Sequence, residues 1–233
     1  IEGKEVEITC PKDAISLGVG MVHQNFNLVP RHQVWENIIL GMEEGLLLNK
    51  SRACQEIASI SDKFGLKINP EAYVWQLSVG EKQRVEIIKA LFRGAKILVL
   101  DEPTSVLTPQ ETESLFATLK DMVKHGLSII FISHKLKEVM NISSRVVVLR
   151  QGKVAGLLRT SETNTGELAS RMMGGESFPE VRKKERGAGR EILKVERLTV
   201  ESDMGFQALK GVSFSICEGE IMGLAGVSGN GQR

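Results

Sequence analysis

Two adjacent carboxylates end an apolar run in the middle of the chain: Lys96-Ile97-Leu98-Val99-Leu100 gives way at once to Asp101-Glu102-Pro103-Thr104. An acid closing a buried strand is costly unless it is paired, solvated or near a metal. Neighbours in a strand point to opposite sides, so Asp101 and Glu102 are placed for different work, a solvated strand end being the plainer alternative. A second apolar run, Ser128-Ile129-Ile130-Phe131-Ile132-Ser133, delivers His134; alone, such a histidine is more often a core or cap residue. His23, His32 and His125 fit no ligand spacing and are assigned no chemistry. Ser78 and Gly80 lie just before a stretch with Val85, Ile88, Leu91 and Phe92 on one helical face. That places a hydroxyl and free backbone N–H groups at a positive helix end, an anion site; an ordinary N-cap with a glycine for the turn is the alternative.

The elements that must position these groups are legible around them. The run before Asp101 has the pattern of a strand buried on both faces. Thr108-Pro109-Gln110-Glu111 supplies an N-cap, a proline at the first helical position and the acid of a capping box. Leu115, Phe116, Leu119, Met122 and Val123 then share a face, and Gly126 closes the helix. Strand, helix and strand form a βαβ unit, which implies a parallel sheet in an α/β fold. Ligands in such sheets sit beyond the carboxyl ends of the strands, where Asp101, Glu102 and His134 all fall, so the three are expected to face one crevice. Lys135 to Asn141 looks helical, and residues 145–158 form a hairpin turning at Gln151-Gly152.

Residues 31–93 are rich in Leu, Ile, Ala, Glu and Lys at helical spacing and are read as a helical subdomain. Residues 176–190 are polar, charged and aperiodic, a linker between a first domain over 1–175 and the start of a second over 191–233. That second start has strands over Glu191 to Val200 and Gln207 to Ile216.

Composition removes several classes. The 233 residues are 42% hydrophobic, with Lys+Arg 30 against Asp+Glu 29 and a net charge of +1. Disorder and collagen-like composition are excluded, and the near-neutral balance gives no broad electrostatic reason to expect nucleic acid as a partner. No apolar run reaches the roughly 18 residues of a membrane span, and Ile1-Glu2-Gly3-Lys4 shows neither an initiator Met nor a signal-peptide pattern. The chain is expected to be soluble, or to dock on something that is not. Cys10, Cys54 and Cys217 are far apart and lack metal-site spacing, so they are read as reduced thiols buried as small hydrophobes, in a cytoplasm.

The block Leu77-Ser78-Val79-Gly80-Glu81-Lys82-Gln83-Arg84, followed by Asp101-Glu102-Pro103-Thr104 and Ser133-His134, with Val22-His23-Gln24 upstream, resembles the ATP-binding cassette ATPases. With Gln24 first, these stand in the order of that family's Q-loop, signature, Walker B strand and switch histidine. The resemblance implies a P-loop NTPase cassette, a parallel-sheet core with a helical subdomain, and the cofactors ATP and Mg²⁺. It implies that Ser78 and Gly80 bind nucleotide and that Asp101 holds Mg²⁺ through water. Glu102 would be the general base, worth about 10² to 10⁴ in rate. His134 would contact the γ-phosphate, and Gln24 would reach metal and water and relay nucleotide state to the helical subdomain, whose surface grips a membrane partner.

A P-loop of the form Gly-x-x-x-x-Gly-Lys-Ser/Thr is not found before Gln24, so the chain is expected to begin after it, with Gly3 to Gly20 as strand and turn. Near the other end, Gly226-Val227-Ser228-Gly229-Asn230-Gly231-Gln232-Arg233 keeps the glycine spacing but carries Gln232 where lysine belongs. Losing that charged contact forfeits about 1.5–3 kcal/mol. A weak or non-catalytic second site is expected, bound through Gly226, Gly229, Gly231 and Gln232 in a second cassette cut within its loop. In head-to-tail cassette pairs, Ser78 and Gly80 would face that loop. The chain alone is therefore expected not to hydrolyse ATP.

Strings such as Gly18-Val19-Gly20-Met21-Val22-His23-Gln24-Asn25-Phe26 and Ser105-Val106-Leu107-Thr108-Pro109-Gln110-Glu111 look like the ATP-binding subunits of nucleoside and sugar importers. The nucleoside branch is favoured by the string from Gly226 to Gln232, with the ribose/galactose branch as the alternative. The implied partners are integral-membrane permease subunits, a solute-binding lipoprotein indirectly, and the second cassette of the same chain, on the cytoplasmic face of the membrane and without nucleic acid. A soluble tandem-cassette translation or repair factor would call for a basic face or a long charged arm. A pseudo-enzyme holding ATP as a structural ligand fits poorly with an intact Glu102 and His134.

Overall fold

The computed structural model describes residues 1–42, 49–174, 189–201 and 207–225. The chain divides into two compact units, Ile1–Ser177 and Phe178–Arg233. In order, the first carries α1 (Pro11–Ser16), β1 (Val19–Val22), α2 (Val34–Ile39), α3 (Lys50–Phe64), a 3-10 turn at Val74–Gln76, α4 (Val79–Phe92), β2 (Ile97–Asp101), α5 (Pro109–Lys124), β3 (Ser128–Ile132), α6 (Leu136–Ile142), β4 (Arg145–Arg150), β5 (Lys153–Arg159) and α7 (Thr165–Met173). The second holds β6 (Glu191–Glu201) and β7 (Gln207–Cys217), an antiparallel ribbon.

The sheet that matters for function is β1-β2-β3, parallel throughout. Short apolar strands linked by helices leave this as the economical pairing. The helix between β2 and β3 starts as its sequence dictates. Thr108 caps α5 by accepting from the Glu111 N–H, Glu111 returns a carboxylate to the Thr108 N–H, and Pro109 opens the first turn. The β4–β5 hairpin turns at Gln151 and Gly152, both in the left-handed region (φ 50° and 73°), the geometry that matches strand twist.

Gly20, Val22, Leu98, Leu100, Ile129 and Phe131 share one face of the sheet by register. That face is covered: Val22, Leu98 and Leu100 join Val85, Ile88, Leu115, Phe116, Leu119 and Met122 in a single core, and Phe116 meets Phe131 edge to face. The core continues without a break into Ile38 of α2 and Ile57 of α3, so α4 is shared between sheet and helical layer.

Several expectations are corrected. β2 is not buried on both faces: Leu98 and Leu100 are, while Ile97 and Val99 are half-buried and Met21, Ile130 and Ile132 beside them are exposed, because α4 and α5 cover one side only. Residues 3–20 are not strand and turn throughout, since Pro11 opens α1. Asp13 accepts from the Thr9 hydroxyl, the Thr9 N–H and the Cys10 N–H, which holds the start of that helix. Cys10, at the N-cap, is exposed, and Cys54 and Cys217 are half-buried, so the three free thiols are not core hydrophobes. α4 is buried nearly all round, Gln83 and Glu86 included, because it lies between layers. Among the described residues no helix is long and apolar enough to cross a membrane.

Gly20 marks a close approach of α4 to the sheet. A Cβ there would lie 2.9 Å from the methyls of both Ala90 and Ala95. Gly20→Val should cost about 1–3 kcal/mol by overpacking, read as a lowered urea-unfolding midpoint; an unchanged midpoint would show that the helix can back away.

Candidate functional site

The parallel register sets Val22 beside Leu100 and Leu100 beside Phe131, so the three strands end level. Gln24 stands just past β1, Glu102 just past β2 and His134 just past β3. Their side chains converge on one carboxylate. Gln24 Nε2 donates to Glu102 Oε2 at 3.3 Å, and His134 Nδ1 shares a hydrogen bond with Glu102 Oε1 at 2.7 Å. The Glu102 side chain keeps 27% of its surface and that of His134 keeps 66%, so the pair is held at the rim of the sheet and open to a ligand. A fixed carboxylate with solvent access can take a proton from water, and the imidazole beside it can meet an anion.

Glu102 has φ +44°, a left-handed conformation that a residue with a Cβ adopts only when its surroundings enforce it. The enforcement is visible on the backbone. Glu102 N–H donates to the Ile132 carbonyl at 2.9 Å and Ser105 N–H to the Glu102 carbonyl at 3.1 Å. Gln83 Nε2 of α4 donates to the Pro103 carbonyl at 2.7 Å, and Lys135 Nζ to the Thr104 carbonyl at 2.9 Å. The buried Thr104 hydroxyl donates to Glu138 of α6, which pairs with Lys135 at 3.2 Å.

The chain after Gln24 is held from the same helix. Asn27 N–H donates to Glu86 Oε1 at 2.7 Å, and Lys89 Nζ donates to the Asn27 carbonyl at 3.2 Å. Farther along, Asn37 is fully buried; its Oδ1 accepts from the Val29 N–H at 2.7 Å and its Nδ2 donates to the carbonyls of Val29 and Gln33. The supports Gln83, Glu86, Thr104, Lys135 and Glu138 were not singled out from sequence. Nothing in the sequence set Gln83 and Glu86 apart from Glu81, Lys82, Arg84 and Lys89 on the same helix.

Ser78 is the N-cap of α4. Its hydroxyl donates to Glu81 Oε2 at 2.8 Å and accepts from the Glu81 N–H at 3.3 Å, while its own N–H donates to Glu81 Oε2 at 2.9 Å. The hydroxyl is therefore engaged in a capping box and not turned freely outward. A Cβ on Gly80 would lie 3.0 Å from Glu111 Oε1, so the tips of α4 and α5 are in contact. Ser78 and Gly80 are tied to the acid loop through Gln83, five residues along α4 from the cap.

Asp101 ends β2 opposite Ile132, on the open face of the sheet. Among the described residues no group of three or more His, Cys, Asp and Glu side chains is arranged to hold a metal. Magnesium takes one or two carboxylates and fills its shell with phosphate oxygens and water, so the oxygen donors Asp101 and Gln24 fit it. Gly226, Gly229, Gly231 and Gln232 lie outside the described residues, as does most of the linker.

Two tests follow from the supports. Hydrogen bonds from Ser78 hold the Glu81 carboxyl below its ordinary value of 4.5. The capping box therefore stabilises α4 fully above that value and is lost as pH falls through the lowered folded value. The protection factor of the Glu81 amide, its exchange rate corrected for the intrinsic pH dependence, should fall on acidification, and Glu81→Gln should remove that fall while keeping the cap. Asn37→Leu should cost about 1–3 kcal/mol, because the fully buried amide that partners the Val29 N–H and carbonyl is lost; thermal unfolding reads the loss.

The chain is similar to several known proteins. The ABC transporter family model matches residues 1–105. Over its whole length the chain is 47% identical to the guanosine import ATP-binding protein NupO of Bacillus subtilis, covering 46% of that protein. It is 41% identical to the nucleoside import ATP-binding protein NupA of Lactococcus lactis and 36% to the ribose import ATP-binding protein RbsA of Geobacillus kaustophilus, again over the whole chain and covering 46% and 47% of them. The chain thus spans about half the length of the curated relatives it matches. In fold it is similar to an ATP-binding cassette of an ABC transporter in its ADP conformation, with a TM-score of 0.60 at 19% identity over 74% of this chain and 71% of that one. Residues 1–105 thus match the ABC transporter family model, and along its whole length the chain is similar in sequence to the ATP-binding proteins of importers and in fold to an ATP-binding cassette.

Proposed function

We propose that the chain is part of the ATP-hydrolysing motor of an importer, and that its solute is a nucleoside. The observation that carries the catalytic part is the Glu102 carboxylate fixed between Gln24 and His134 at the ends of three level strands. Glu102 accepts a proton from the attacking water, Gln24 orients that water, and His134 meets the terminal phosphate. Asp101, with Gln24, would hold magnesium, which when bound offsets the negative charge of the phosphates. Ser78 and Gly80 at the tip of α4 would meet nucleotide phosphate, the serine exchanging Glu81 for its new partner. The glycine loop at Gly226, Gly229, Gly231 and Gln232 would serve a second, weak nucleotide site. First cassette over 1–175, linker over 176–190 and second cassette from 191 is the division we propose.

The nucleoside reading is favoured by the relatives named for guanosine and nucleoside import, at 47% and 41% identity. A ribose-type sugar importer is the second reading, favoured by the relative at 36%. Such a motor would bind permease subunits at the cytoplasmic face of the membrane, with a solute-binding lipoprotein on the far side.

In the intact ATPase, Glu102→Gln should lower kcat by at least about 100-fold while nucleotide affinity is retained, the signature of a lost base. Parent-like turnover by that variant would overturn the assignment. With permease and binding protein reconstituted in vesicles, purine nucleoside should stimulate ATP hydrolysis and ribose should not; the reverse would make the chain part of a sugar importer.

A further inference from the structure

We propose that Gln83 is a positioning residue for hydrolysis: its buried amide, by holding the Pro103 carbonyl, keeps Glu102 in the left-handed backbone that aims the carboxylate between Gln24 and His134. The proposal rests on the reading of Glu102 as the base. Its ground is geometric. Gln83 is 4% exposed, and its amide reaches across to the peptide immediately after Glu102 with a 2.7 Å hydrogen bond.

Buried polar side chains are retained only when satisfied, and each such bond fixes two partners at once. Here the partner is the carbonyl of a proline, a residue whose own φ is locked, so fixing that carbonyl leaves the preceding residue little freedom. Besides the turn's own Ser105 N–H, the other bonds come from the Ile132 carbonyl of β3, from Lys135 at the N-cap of α6 and from Glu138 within it. Gln83 alone among them comes from α4, and so clamps the turn from the opposite side. The next polar residue on that face, Glu86, does the same for the loop after Gln24 by accepting from the Asn27 N–H. One helix face thus sets two of the three groups that converge on the reacting water.

The test is made in the intact ATPase with Gln83→Met, which keeps the length of the side chain and removes its donor. We expect kcat to fall by about 10- to 100-fold, the scale of a small misplacement of a catalytic group, with KM for ATP and nucleotide affinity within about twofold of the parent. In a Glu102→Gln background the same substitution should leave the residual rate unchanged, since Gln83 acts through Glu102. A comparable further loss in that background would mean a general structural role and would overturn the proposal, as would parent-like turnover by Gln83→Met. If Gln83→Met does not fold, Gln83→Asn, one methylene short of Pro103, should show the same split, and its failure to do so would be equally decisive. A parent that hydrolyses no ATP would bring down the functional reading itself, and this role with it; a turning-over parent with an unaffected Gln83→Met would bring down this role alone.

Discussion

The level, parallel register of β1, β2 and β3 is the constraint on which the rest depends. A strand alternates its side chains, so a slip of one residue in β2 would send Leu98 and Leu100 out of the core and turn Asp101 inward. The buried face therefore fixes the reactive rim. Once Leu98 and Leu100 are packed against Leu115, Phe116 and Met122, the residues that follow the strands have no choice but to meet. Packing chooses the register, and the register makes the site.

What register cannot supply is the last turn of direction. Glu102 lies just past the end of β2 with a positive φ, and in that conformation its carboxylate meets Gln24 and His134. Strain of this kind persists only under over-determination. Here it comes from side-chain hydrogen bonds whose donors, Gln83 of α4 and Lys135 at the N-cap of α6, reach the carbonyls of Pro103 and Thr104. The polar residues inside this protein are thus concentrated where backbone must be held out of its ordinary path, and Asn37 repeats the pattern at Val29.

Much of this was legible in the sequence wherever local rules act alone. Thr108-Pro109 and Glu111 announce α5, Gln151-Gly152 announces a hairpin, and the abrupt end of an apolar run at Asp101 announces a strand reaching a rim. Legibility failed where burial is decided by what comes from elsewhere in the chain. An apolar run does not say how many of its sides are covered, which is why β2 was expected to be buried on both. α4 looked amphipathic from its pattern, yet wedged between two layers it exposes no residue, and Gln83 and Glu86 were indistinguishable from surface residues until their partners, Pro103 and Asn27, were in place. The convergence on Glu102 followed from topology; the hands that grip it did not.

The continuity of the core through α4 has a thermodynamic corollary. Sheet residues such as Leu98 and insert residues such as Ile57 belong to one packed cluster, with Val85 and Ile88 between them. Loosening either layer exposes the other, so the two should behave as a single cooperative foldon, and the slowest-exchanging amides should run from β2 through α4 into α3. A packed cluster of that kind couples a displacement of the helical layer to the ends of the strands.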